Sequence, residues 1–149
     1  MISENQEDTR EIAEEVIDNL ESRDNLILLH GELGAGKTNF SQSVLKYLGA
    51  EGPFTSPTFV IMKEYLVNFK NKQGTRFKKV YHLDCYRIDS AGLLDLGWND
   101  IIKDKNSLIL LEWPEKIEEA LPKNYLKINF KVLGEKKRNI NIKKFKNEN

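Results

Sequence analysis

The 149-residue chain is the size of one domain and carries 23 Lys and Arg against 23 Asp and Glu. It can bury a single core, and it lacks the broad positive field on which sequence-independent binding to duplex nucleic acid depends. Cys85 is the only cysteine, which excludes an internal disulfide and any multi-cysteine zinc site and fits a reducing compartment. The longest apolar runs, Leu26 to Leu29 and Leu108 to Leu111, fall far short of a membrane span, and the acidic opening Met1 to Asp8 is unlike a signal peptide. The expectation is one cytoplasmic domain, residues 1–149, without a membrane partner.

In chain order, Asp8 and Glu11 are spaced as a capping box, and Ile12, Ala13, Val16, Ile17 and Leu20 then fall on one helical face. Leu26 to His30 is a short apolar run stopped by glycine, as expected of a strand buried on both faces of a parallel sheet. Phe40, Val44 and Leu48 return to helical spacing up to Gly49, a helix-ending glycine. Thr58 to Val67 and Arg76 to Leu83, rich in β-branched and aromatic residues, flank the polar stretch Asn68 to Gly74 and predict an antiparallel hairpin. Leu93 to Ile102 suits short helical turns, and Ser107 to Leu111 is a further buried strand. Pro114 is placed to open a helix with Ile117, Ala120 and Leu121 inward and Pro122 at its end. Alternation at Leu126, Ile128, Phe130 and Val132, a turn at Gly134 to Lys137, and alternation again at Ile140 and Ile142 predict a second hairpin. The sum is an α/β fold whose central sheet is part parallel and part antiparallel, flanked by helices.

Between the first strand and the second helix lies Gly31-Glu32-Leu33-Gly34-Ala35-Gly36-Lys37-Thr38. A triphosphate needs several backbone N–H donors, a cation at the β/γ bridge and a hydroxyl on the metal. Glycines at 31, 34 and 36 let the loop approach phosphate closely, with Ala35 among them. Lys37 would bridge the β- and γ-phosphates, and Thr38 would ligate Mg²⁺. Strand before and helix after make a chance match improbable, so the chain is expected to be a P-loop NTPase with Mg²⁺ as cofactor.

Two carboxylates end buried strands and are candidates for metal and water: Asp84 after Val80 to Leu83, and Glu112 after Leu108 to Leu111. Which of them would touch the metal is open at this level. His82 has no companion at zinc spacing and reads as a structural or hydrogen-bonding histidine. Trp113 reads as core from its chemistry alone, with stacking on a ligand as the other reading. Ser56 and Thr58 flank Pro57 on a stiffened loop, which suits either a γ-phosphate sensor or an ordinary turn.

Taken together, the loop at 31 to 38, Ser-Pro-Thr-Phe at 56 to 59, His-Leu-Asp-Cys-Tyr-Arg at 82 to 87 and Glu-Trp-Pro-Glu at 112 to 115 resemble the TsaE family of bacterial tRNA threonylcarbamoyladenosine biosynthesis, from about Thr9 to the closing hairpin. The resemblance implies an ATPase that works with the partner proteins TsaB and TsaD. They modify adenosine 37 of tRNA, so contact of this chain with tRNA would be indirect. It further implies that Lys37 and Thr38 hold phosphate and Mg²⁺, that Ser56 to Phe59 form a switch-like loop, and that Asp84 and Glu112 organise metal and water. By the same resemblance Trp113 becomes a nucleotide-site or partner-contact residue, and Thr9 and Arg138 approach the adenine.

A GTPase would share the loop, and Asp89-Ser90-Ala91-Gly92 fits the Asp-x-x-Gly pattern, but Asn71-Lys72-Gln73-Gly74 fails the guanine element at its last position. A small-molecule kinase would need an arginine-rich lid, and the arginines here are few and scattered. A kinase is still the runner-up, and a non-hydrolytic ATP-binding module is a further alternative because no arginine finger in cis is evident; slow, partner-dependent turnover follows from the same absence.

Overall fold

The computed structural model describes residues 1–55, 60–67 and 76–146. The switch-like loop with Ser56 and Thr58, and the hairpin tip at Asn68 to Gly74, lie outside these residues.

The first helix, α1 (Gln6–Asp18), follows a two-residue strand, β1 (Ile2–Ser3). The helix begins earlier than the capping box at Asp8 and Glu11 requires. Asn5 is its N-cap and accepts from the Asp8 N–H at 2.8 Å, while the Asp8 carboxylate accepts from the Glu4 N–H at 2.9 Å. Asparagine caps as well as aspartate, and Asp8 serves as the reciprocal acceptor one turn on. The expected apolar stripe is in place, with Ile12, Ala13 and Val16 buried and Ile17 and Leu20 packed against the same core.

The strand β2 (Leu26–Gly31) leads through the glycine loop to α2 (Lys37–Leu48), which ends at Gly49 in the left-handed conformation. The first expected hairpin is present as β3 (Met62–Leu66) antiparallel to β4 (Lys79–Asp84). Two short helices follow, α3 (Ser90–Asp95) and α4 (Trp98–Lys103), and then β5 (Ser107–Glu112). Asp89 accepts from the Gly92 N–H at 2.8 Å as the N-cap of α3, so the Asp-x-x-Gly match is a helix cap.

The helix expected after Pro114 does not form. Residues Pro114–Lys116 and Glu118–Ala120 make two separate 3₁₀ turns, with Ile117 between them at φ −134°, outside the helical range. Ile117 is nevertheless fully buried, whereas Ala120 and Leu121 are only partly so. The closing hairpin, β6 (Tyr125–Val132) and β7 (Arg138–Phe145), matches the alternation, although Val132 lies beyond the core and is exposed.

The strands form one sheet in the order β1-β7-β6-β2-β5-β4-β3. Pairings β2 with β6, β2 with β5 and β4 with β5 are parallel, and both hairpins extend the sheet antiparallel. Ile27 and Leu29 on β2 face the core shared with α1 and α2, while Leu26 and Leu28 face the core around Trp98, Leu93 and Ile117. That two-sided burial explains why β2 and β5 read as unbroken apolar runs. Asn25 ties the base of β2 to α4, donating to the carbonyls of Ile102 and Asp104. None of the described helices is long and apolar enough to cross a membrane.

Two outcomes follow from the packing. Leu110→Ala, at a fully buried position of β5, should cost about 2–5 kcal/mol in urea unfolding. Cys85 is fully buried, and burial pushes its thiol up to about 12; it should stay inert to a thiol reagent at pH 8 in the native protein and react at once after unfolding.

Candidate functional site at the carboxyl ends of the parallel strands

The register sets the site. Asp84 pairs with Glu112 across β4 and β5, and Glu112 pairs with Leu29 across β5 and β2. β4 and β5 therefore end level, and β2 runs two residues past that row before the glycine loop leaves it at Gly31. Open α/β sheets bind ligands at such an edge.

The loop depends on two glycines for different reasons. At Gly31 an added Cβ would lie 2.9 Å from the Phe130 carbonyl oxygen of β6, so the backbone passes too close for any side chain. Gly36 is the N-cap of α2 at φ 106°, a left-handed conformation, and brings no side-chain cap. The first N–H groups of α2 thus lack intrahelical acceptors, and the positive end of the helix faces the loop. This arrangement suits an anion.

Lys37 is 4 % exposed; its ammonium donates to the Gly31 carbonyl and sits 3.5 Å from the centroid of the Trp113 ring. Burial pushes the Lys37 pKa down from its ordinary value, while Glu112, Glu115 and Asp84 act to raise it. Trp113 is half-buried rather than core, and it is the one described non-glycine residue at positive φ, 61°. Such a conformation costs a bulky residue about 1–3 kcal/mol and is characteristic of functional sites. Its ring also meets Tyr86, with centroids 5.0 Å apart.

Thr38 donates its hydroxyl to Glu112, 3.2 Å from Oε1 and 3.4 Å from Oε2. Glu112 is 3 % exposed, and its Oε2 lies 2.6 Å from His82 Nε2. Asp84 accepts from the Tyr86 N–H at 2.9 Å. Hydroxyl and carboxylate oxygens are the donors a hard cation such as Mg²⁺ takes. Among the described residues there is no group of three or more His, Cys, Asp or Glu that could hold a metal by itself.

On the other side of the loop a cleft of about 650 Å³ is lined by Thr9, Gly34, Ala35, Gly36, Asn39, Phe130 and Arg138, among others. Its volume falls in the range of small-molecule sites. Thr9, on α1, shares a hydrogen bond of 2.7 Å with Ser3 of β1. Arg138 opens β7 and donates to the Gly34 carbonyl at 3.2 Å, so the last hairpin touches the glycine loop directly. The structure thus brings Thr9, Gly34 to Thr38, Asp84, Glu112, Trp113 and Arg138 around one loop. Gln6 and Gln42 also line the cleft, and sequence reasoning missed them, with Asn39, because single amides on helices carry no motif.

The glycine geometry gives a test. Gly34→Ala meets nothing within 4 Å but stands at φ 79°, so it should cost about 1–2 kcal/mol from backbone strain alone. Gly31→Ala should lower the urea midpoint further, because the added Cβ must displace the β6 backbone.

The model of the family described as threonylcarbamoyl adenosine biosynthesis protein TsaE matches residues 3–140. A tRNA threonylcarbamoyladenosine biosynthesis protein TsaE of Rickettsia felis is 34% identical over 140 residues, covering 93% of this chain and 75% of the relative. Its Bacillus subtilis counterpart is 36% identical over 115 residues, covering 77% and 66%. The crystal structure of Bacillus subtilis YdiB superposes with a TM-score of 0.71 at 29% identity, covering 94% of this chain and 80% of that one. With a glycine loop joining β2 to α2 at the carboxyl edge of a mixed seven-stranded sheet, the fold is that of a P-loop NTPase, and the chain belongs to the TsaE family of tRNA threonylcarbamoyladenosine biosynthesis.

Proposed function

We propose that the chain is a Mg²⁺-dependent ATPase whose hydrolysis supports threonylcarbamoylation of tRNA adenosine 37 by a transferase complex of TsaB and TsaD. The observation that carries this reading is the contact of Thr38 with Glu112, at 3.2 Å, directly beside Asp84. A loop hydroxyl and two level carboxylates are what a Mg²⁺ site at a γ-phosphate needs.

In this reading Lys37 leaves the Gly31 carbonyl and the Trp113 ring to meet the β- and γ-phosphates, whose charge compensates its desolvation. Thr38 would give the hydroxyl that now meets Glu112 to the cation. Bound Mg²⁺ would neutralise charge developing on the transferring phosphoryl group. Glu112 would align the attacking water, and Asp84 beside it would help to hold the cation. The cleft at Thr9 and Arg138 takes the adenosine. Turnover is slow until a partner completes the site. Ser56 and Thr58 belong to the proposal as the γ-phosphate-sensing loop on the strength of the motif alone.

Lys37→Ala should lose most ATP affinity in calorimetric titration. Glu112→Ala should keep that affinity and abolish phosphate release; retained turnover would move the catalytic role to Asp84 or elsewhere. Because the Lys37 ammonium must leave the indole, the emission of Trp113, isolated in a Trp98→Phe background, should change on adding ATP with Mg²⁺ and stay constant in Lys37→Ala.

A further inference from the structure

We propose that His82 is a positioning residue that holds the Glu112 carboxylate in its working orientation; the inference rests on the ATPase reading above. His82 stands two residues before Asp84 on β4 and so shares its face, and its side chain is 0 % exposed. Its Nε2 lies 2.6 Å from Glu112 Oε2, a short contact made inside the protein and not at its surface. Nδ1 is buried and has no hydrogen-bond partner among the described residues.

That asymmetry assigns the tautomer. A buried N–H without an acceptor costs more than an unused lone pair on a nitrogen, so the proton sits on Nε2 and is donated to Glu112, with Nδ1 bare. It also argues against a histidine kept only for packing: buried polar atoms are ordinarily satisfied, and an apolar side chain would fill this place on β4 without leaving a nitrogen unpaired. The gain from the imidazole is its one directed bond to Glu112.

The bond matters because the other partner of Glu112 is engaged elsewhere during the reaction. Thr38 is the second donor to the carboxylate, and in the ATPase reading its hydroxyl turns to the cation. His82 is then the remaining described donor that fixes Glu112 while it aligns water. Removing it leaves the carboxylate present but free to rotate about its own bonds. The expected signature is a loss of rate without a loss of nucleotide binding.

The experiment compares His82→Leu and His82→Gln in ATP turnover, ATP affinity and thermal unfolding, with the full chain and its partner proteins. His82→Leu should lower kcat by about 10–100-fold, the usual effect of losing a residue that orients a ligand, and leave Kd for ATP within about 3-fold. His82→Gln, whose amide can donate from nearly the same place, should recover most of that rate. Full kcat in His82→Leu overturns the proposal, as do equal losses in both variants that follow their unfolding temperatures. Should His82→Leu not fold, the ¹⁵N spectrum of the wild-type imidazole decides: it should show a proton on Nε2 whose resonance moves in Glu112→Ala, and an unmoved resonance overturns the proposal. Absence of ATP hydrolysis by the wild type defeats the ATPase reading itself, a result distinct from wild-type hydrolysis that is insensitive to His82.

Discussion

The shared register of three parallel strands is the constraint on which the rest of the structure depends. Because β2, β5 and β4 are paired in parallel with Leu29, Glu112 and Asp84 in one row, the chain leaves all of them on the same edge. The glycine loop, Trp113 and Tyr86 are then neighbours without further arrangement. A shift of one residue in either pairing would turn a carboxylate to the opposite face of the sheet and separate it from Thr38. The fully buried residues of β5 and the two apolar clusters on either side of the sheet oppose such a shift.

The buried charged groups at this edge are partnered within the chain. Lys37 is held by the Gly31 carbonyl and the face of Trp113, and Glu112 by Thr38 and His82. Each buried charge therefore has a partner, which is the condition for burying it at all. In the proposed ATPase reading, a nucleotide with its metal takes the place of these partners. The strained backbone at Trp113 fits this view, since a residue at φ 61° persists only where its surroundings hold it in place. Arg138 and Thr9 extend the same loop to a cleft on its far side, which links the first helix and the last hairpin to the phosphate region.

Much of this was legible from residues alone, and for definite reasons. Unbroken apolar runs marked β2 and β5 as strands buried on both faces, alternation marked β6 and β7, and the glycine loop required a strand before it and a helix after it. Asp84 and Glu112 could be named because each ends such a strand. What escaped was decided by contacts through space or by competition between similar local signals. Asn5 and Asp8 are both good caps, and the helix takes the earlier one, just after β1 pairs with β7. Pro114 permits a helix, but the left-handed Trp113 before it and Ile117 within it divide the segment into two 3₁₀ turns. The bond between His82 and Glu112 joins residues 30 apart in sequence, and no local pattern announces it.

The central claim is that this edge cleaves the β–γ bond of ATP and passes the phosphoryl group to water. The most direct measurement follows the label from γ-³²P-ATP in a reaction reconstituted with Mg²⁺, the partner proteins and tRNA. The account predicts that the label accumulates as free inorganic phosphate. Label recovered on a protein, a tRNA or a small-molecule acceptor, or retained in ATP through repeated rounds of tRNA modification, would contradict it.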